Sequence, residues 1–202
     1  ICFFLFPSIW KKKKDMDFNC IVGLDEVGRG PLAGPIVAAA VHISDFNVLK
    51  GMKFGDSKSM SAKRREKLFA FFKSKSEIKW GIGNVSNNTI DKINILEATK
   101  LAMRKALDDL NVKPDLVIID GNFKIGLNVL ELPVIKGDER IVSCSVASIV
   151  AKVTRDRLMD KYDLKYPEYG FKNHKGYGTK EHRDAIKKYG YSKIHRKSFR
   201  VK

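Results

Sequence analysis

Two spacings of apolar residues alternate along this chain, and they separate strands from helices. Residues 21–24 and the run Ile36-Val-Ala-Ala-Ala-Val41 are apolar, and Gly28-Arg-Gly-Pro-Leu-Ala-Gly-Pro35 lies between them. Such runs around a turn-rich join predict neighbouring strands. Ser61 is a suitable N-cap for a helix over 62–75, with Leu68, Phe69 and Phe72 on one face. Residues 78–85 predict a third strand. Asn88 is the expected N-cap of a longer helix reaching about position 110, with Ile93, Leu96, Met103, Leu107 and Leu110 inside.

Leu116-Val-Ile-Ile119 is continuously apolar, as buried central strands are. Pro133-Val-Ile135 predicts a short strand. Val142, Val146, Ile149 and Val153 mark a helix that leaves through 152–157. Its small residues Ser143, Ser145, Ala147, Ser148 and Ala151 suit close packing on a sheet. Thr179 can cap a last helix carrying Lys187 and Lys188. Strands interspersed with helices imply an α/β domain over 16–202. Residues 1–15 read differently, as an apolar stretch followed by Lys11 to Lys14. A signal peptide carries its charge first, and a membrane span needs about 20 apolar residues, so neither pattern fits. Met16 directly precedes the first strand-like run. Residues 1–15 are therefore expected to be a non-native or disordered extension outside the fold, an upstream read-through or a mis-set start, with Met16 as the expected true start.

Charge changes the picture. The formal net charge is +16 over 202 residues, and Lys161 to Lys202 holds 13 Lys/Arg against 4 Asp/Glu. An excess of that size implies a polyanionic partner, nucleic acid before membrane. Cys2, Cys20 and Cys144 form neither a metal spacing nor a disulfide framework, which fits a reducing cytoplasm.

Against that basic background a few acids sit after strands. Asp25 and Glu26 end the first apolar run. Successive side chains of a strand point to opposite faces, so the two cannot aim together. If both serve one site, one acts through its side chain and the other partly through its carbonyl. Gly28 and Gly30 leave backbone amides open to a phosphate or sugar, and Arg29 adds charge. Asp120 ends the buried run Leu116-Val-Ile-Ile119, a costly place for a carboxylate without a partner or cation, unless it opens an Asp-Gly turn. Asp138 again follows a strand and a glycine. Lys58 precedes a helix and could touch a phosphate. Tyr177 lies between glycines, which favours an exposed ring beside basic residues. The four histidines lack zinc-ligand spacing and read as surface or hydrogen-bonding residues.

These pieces also carry a resemblance. Asp25-Glu-Val-Gly-Arg-Gly-Pro-Leu-Ala-Gly-Pro35 resembles the opening motif of ribonuclease HII. So do Asp56-Ser-Lys58, Ile119-Asp-Gly-Asn122, Lys136-Gly-Asp138, Ala147-Ser-Ile-Val-Ala-Lys-Val-Thr-Arg-Asp-Arg157, Gly176-Tyr177 with Thr179-Lys-Glu-His182, and His195-Arg with Ser198-Phe199. They stand in the family's order, from about Asn19 to Phe199. Ser59-Met60 departs from the Lys-Leu the family often has there. The chain stops soon after Phe199, so no sliding-clamp-binding tail can be argued.

The resemblance implies a ribonuclease H-like fold: a five-stranded mixed sheet flanked by helices, its first three strands antiparallel, with a helical C-terminal part. It implies hydrolysis of the RNA strand of RNA–DNA hybrids and cutting 5′ to single ribonucleotides in duplex DNA, leaving a 5′-phosphate and a 3′-hydroxyl. It assigns Asp25, Glu26, Asp120 and Asp138 as catalytic metal ligands. Hard oxygen donors suit Mg²⁺ or Mn²⁺, and two ions about 4 Å apart would serve an in-line attack by water. By the same resemblance Gly28, Arg29 and Gly30 read the 2′-hydroxyl, and Tyr177 packs on the next deoxy sugar. Lys58, Lys152 and Arg157 become phosphate contacts, and the protein is expected to be a monomer. Two other readings compete. A non-catalytic basic nucleic-acid-binding protein accounts for the charge but not for acids that would repel its ligand. A metal-dependent phosphatase for small substrates leaves the basic tail and Tyr177 without a purpose.

Overall fold

The computed structural model of the chain describes residues 18–52 and 60–201. Strands β1 (Ile21–Val27) and β2 (Ile36–Ile43) pair antiparallel, with Val22 opposite His42 and Val27 opposite Val37. Strand β3 (Ile78–Val85) continues antiparallel beside β2. On the other side of β1, β4 (Leu116–Asp120) lies parallel, with Leu24 beside Ile119. Strand β5 (Leu130–Val134) is parallel to β4. The sheet order is β3-β2-β1-β4-β5, the mixed five-stranded arrangement that the resemblance implies.

Alternation along the strands divides the core in two. Val22, Leu24, Ile36, Ala38, Ala40, Val117 and Ile119 face Ala98, Ala102, Met103 and Ala106 of helix α2 (Asn87–Leu110). Ala39, Val41 and Ile43 face the opposite way. They meet Phe72 of helix α1 (Ala62–Lys73) and Val146, Ile149 and Val150 further along the chain. The last three belong to α4 (Val142–Lys165), whose small residues bring it close to the sheet. A short helix, α3 (Gly137–Arg140), precedes it, and α5 (Phe171–His174) and α6 (Lys180–Tyr189) follow. Ala33, Met159, Tyr169, Phe171, Ala185 and Ile194 close a separate small core that fastens the C-terminal part to the 28–35 segment.

The caps at Ser61 and Thr179 form as the sequence predicts, each hydroxyl accepting from a main-chain N–H three residues on, at 3.3 Å. Other boundaries need correction. Ser86, not Asn88, caps α2. Asn94 then breaks that helix at φ 65°, and its side-chain oxygen recaps it by accepting from the N–H groups of Leu96 and Glu97 at 2.9 and 3.1 Å. The break rotates the helical face, so Leu96 is exposed rather than inside. Strand β5 starts at Leu130 and ends before Ile135, which is exposed. Helix α4 runs eight residues beyond Arg157, to Lys165. The 1–15 extension, Met16, Asp56, Lys58 and Ser59 lie outside the described residues.

Helix α2 packs unusually closely on β3, and glycine makes that possible. A Cβ at Gly83 would overlap the carbonyl oxygen of Ala102 and stand 2.7 Å from the amide of Ala106. Both obstacles are helix backbone, which cannot swing aside. Gly83→Ala is therefore expected to cost about 1–3 kcal/mol, the usual penalty of overpacking. Urea unfolding would read this as a lower midpoint at unchanged slope. An unchanged midpoint would show that α2 can slide off the sheet freely.

Candidate active site

The register of β1 and β4 decides where two of the acids go. The two strands are parallel with Leu24 beside Ile119, so the next step brings Asp25 beside Asp120 at their carboxyl ends. Leu24 and Ile119 point towards α2, so both aspartates point to the α4 face. Asp138 arrives from the turn after β5. Lys136 adopts a left-handed conformation at φ 58°, and Gly137 then donates its N–H to Asp120 Oδ1 at 2.8 Å. The Ser145 hydroxyl donates to the carbonyl of Asp138 and holds that turn on α4. Oxygens of Asp25, Asp120 and Asp138 consequently gather within 4.8 Å of one another.

Such crowding is electrostatically expensive. Burial comes first, then the charges of Glu26 and Asp120, and together they push the Asp25 carboxyl well above the usual range. The Ser148 hydroxyl and the Glu26 amide oppose this by hydrogen bonding to it. That amide donates to Asp25 Oδ1 at 2.6 Å. Three hard oxygen donors gathered this closely, two of them buried, suit a divalent cation. Cys144, beneath them, is kept as a neutral thiol, chiefly by burial and then by the charge of Asp25.

Glu26 stands apart from the three aspartates, as alternation requires. Its Oε1 lies 3.5 Å from Arg29 Nη1, and the Arg29 guanidinium lies 5.8 Å from the centre of the Phe123 ring. The glycine segment follows directly. Gly28 has φ +99°, a conformation that excludes most side chains, and its missing Cβ makes room for the Arg155 guanidinium. Tyr177 is exposed, and its Cε1 would lie 3.7 Å from a Cβ on Gly30. The glycine loop and the tyrosine thus share one wall, adjoining the end of β1.

Two arginines build that wall, and the sequence reading missed both roles. Arg155 and Arg196 are 0% and 1% exposed. Arg196 donates to the carbonyls of Gly34, Arg29 and Gly28 at 3.0, 2.9 and 2.6 Å. Arg155 donates to those of Pro35, Lys175 and Ala33 at 2.9, 3.0 and 3.2 Å. Burial lowers their pKa values, to about 10 for Arg155 and about 9 for Arg196, which leaves both charged at neutral pH. The carbonyls of Gly28, Arg29, Ala33, Gly34 and Pro35 are thus drawn inwards onto two cations, which add positive potential behind the loop.

Other expected contacts are engaged within the protein. Lys152 donates to Asp156 at 2.6 Å, and Arg157 forms a two-pronged pair with Glu66 across the Phe69 ring. Neither joins the glycine–tyrosine wall. Of the two roles expected for the histidines, hydrogen bonding is the one found: His174, His182 and His195 are buried and hydrogen-bonded.

Comparison with known proteins agrees with this arrangement. The family model for ribonuclease HII matches residues 22–202. A ribonuclease HII of Clostridioides difficile is 49% identical over 185 residues, which is 92% of this chain and 71% of that protein. The crystal structure of ribonuclease H2 from Pyrococcus horikoshii superposes with a TM-score of 0.74 at 28% identity, covering 90% of this chain and 94% of that one. A Bst ribonuclease HIII crystallised in complex with Mn²⁺ gives a TM-score of 0.70 at 18% identity over 92% of this chain and 68% of its own, a likeness of fold alone.

Proposed function

The chain belongs to the ribonuclease HII family and is an endoribonuclease acting on RNA–DNA hybrids, and we propose that it also cuts 5′ to single ribonucleotides in duplex DNA. The observation that carries this reading is the cluster of Asp25, Asp120 and Asp138 at the foot of a glycine loop whose neighbour is an exposed tyrosine. The three aspartates would hold the divalent ions, two Mg²⁺ or Mn²⁺, and Glu26 would contribute through its carbonyl or after leaving Arg29. When bound, such ions activate a water and stabilise the leaving oxygen. Everything else falls to the chain. The amides of the 28–30 turn meet the 2′-hydroxyl, the group that distinguishes RNA from DNA. Arg29, in the middle of that turn, would face a phosphate from its place beside Glu26. Tyr177 bears on the following sugar. Lys58, Lys152 and Arg157 would reach phosphates on either side, the last two only by exchanging their carboxylate partners. Among the described residues no helix is long and apolar enough to cross a membrane.

A duplex with one embedded ribonucleotide, incubated with Mg²⁺, Mn²⁺ or EDTA, tests the proposal. Ends bearing a 3′-hydroxyl and a 5′-phosphate are expected with metal only. A 2′,3′-cyclic phosphate, or equal cutting of all-DNA duplex, would overturn it.

Binding should depend steeply on salt. Each phosphate neutralised by Lys or Arg releases counterions, so log K falls with log salt by about 0.9 per contact on a B-form duplex. Lys187 and Lys188 are exposed in the last turn of α6. Replacing both with alanine is expected to flatten the slope while the cleavage position stays fixed. An unchanged slope would place the basic binding face elsewhere.

A further inference from the structure

Tyr177 carries a problem that its neighbours must solve. It lies between Gly176, at φ +86°, and Gly178, and the residue is 42% exposed. The flanking glycines leave the backbone here permissive, so hydrogen bonds to the Tyr177 main chain hold the turn that carries the ring, and three buried histidines surround it. His174 and His182 stack at 4.5 Å, and His182 Nε2 lies 3.0 Å from His195 Nε2.

Main-chain donors determine which nitrogen carries each proton. The Ser192 N–H points at His195 Nδ1 from 2.8 Å, so Nδ1 accepts and the proton sits on Nε2. That Nε2–H donates to His182 Nε2. The His182 proton is then on Nδ1, 2.9 Å from the carbonyl of Tyr177. The same carbonyl also accepts from the Thr179 N–H at 2.8 Å. On the other side, the Gly176 N–H donates to His174 Nδ1 at 3.2 Å, and His174 Nε2–H donates to the Tyr169 carbonyl at 2.8 Å. The Tyr177 N–H completes the turn by donating to the His174 carbonyl at 2.9 Å. Burial holds His182 below its ordinary pKa and His195 down to about 4, so both rings stay neutral at neutral pH.

We propose that His195 and His182 are positioning residues: a one-way relay from the Ser192 amide to the Tyr177 carbonyl that fixes the tyrosine ring against the sugar. Neither ring touches the substrate. The proposal rests on Tyr177 reading the RNA-to-DNA junction, and it adds that the reading depends on a single tautomer of His182.

The experiment separates position from bulk. The readout is junction preference, the cleavage rate at a lone ribonucleotide divided by the rate on a continuous RNA–DNA hybrid. His182→Ala should reduce this ratio by about tenfold, towards that of Tyr177→Ala. His182→Asn, whose amide can donate where Nδ1 stood, should rescue most of the loss. His182→Gln reaches the Nε2 position instead and should not. A merely structural role predicts similar ratios in all three variants, and that result overturns the relay. If Tyr177→Ala keeps the parent ratio, the junction reading itself fails and the relay falls with it. A second measurement needs no variant. Two-dimensional ¹⁵N–¹H imidazole spectra of the parent should show His195 protonated on Nε2 and His182 on Nδ1. The opposite tautomers would refute the relay whatever the activities.

Discussion

Asp25→Asn and Asp120→Asn are each expected to abolish cleavage while leaving hybrid binding intact or slightly tighter. Oxygens of the two carboxylates, with those of Asp138, lie within 4.8 Å of one another. An amide there is a poor ligand for a hard divalent cation. It also removes one negative charge facing a polyanion. Losing the ions removes both water activation and leaving-group stabilisation, so a rate loss of about a thousandfold or more follows from the several kcal/mol at stake. Stability should not fall. Burial and two neighbouring charges already disfavour the Asp25 carboxylate, so the neutral isostere relieves repulsion. In EDTA the Asp25→Asn protein should melt no lower than the parent. Added Mn²⁺ should raise the melting temperature of the parent but barely that of the variant, because only a protein that binds the ion is stabilised by it. Near-parental turnover in either variant, or equal Mn²⁺ stabilisation of both proteins, would rule out this metal site.

Strands carrying the acids are legible from local pattern. Residues 21–24 and Leu116-Val-Ile-Ile119 are short apolar runs ended by a carboxylate, and a run of that kind has few alternatives to a buried strand. The opposite aim of Glu26 follows from alternation alone, and the structure bears this out. Convergence of Asp25 and Asp120 is different. It depends on parallel pairing between segments about ninety residues apart, and no local spacing encodes that register. The family motif supplies it only as an analogy.

Helix boundaries failed where two suitable caps competed. Ser86 and Asn88 are both good N-caps, and β3 ends just before Ser86, which settles the choice. Asn94 looks like an ordinary helical residue until its side chain is seen recapping the chain. Buried polar residues failed for a deeper reason. Arg155 and Arg196 have sequence neighbours that suggest a solvated basic surface. Their partners are carbonyls 120 to 168 positions away, apart from Lys175. A carbonyl leaves no trace in the residue types, so the sequence offers no sign of such a partner. The histidines were legible only as surface or hydrogen-bonding residues for the same reason, since main-chain groups satisfy most of their ring nitrogens.

Tyr177→Ala is expected to lower cleavage at a lone ribonucleotide by about tenfold to a hundredfold, with a smaller effect on continuous hybrid. The ring stands at the edge of the glycine loop, within van der Waals reach of a Cβ placed on Gly30. On the reading proposed above, a nucleotide whose 2′-hydroxyl meets the loop places its 3′ neighbour near the ring. A deoxy sugar there presents an apolar face that the ring can cover. A ribose brings a hydroxyl into the same space, which crowds the ring and loses hydration. Contact is thus favoured at an RNA-to-DNA junction over continuous RNA. Aromatic contacts of this kind are worth roughly 1–3 kcal/mol, and that range sets the expected rate effect. Tyr177→Phe should keep most of the activity, because the contact depends on the ring rather than the phenol. Single-turnover rates on a lone ribonucleotide and on a continuous hybrid, measured side by side, decide the matter. Equal losses on both substrates would mean that Tyr177 supports binding in general, and full activity of the alanine variant would place junction sensing on the glycine loop alone.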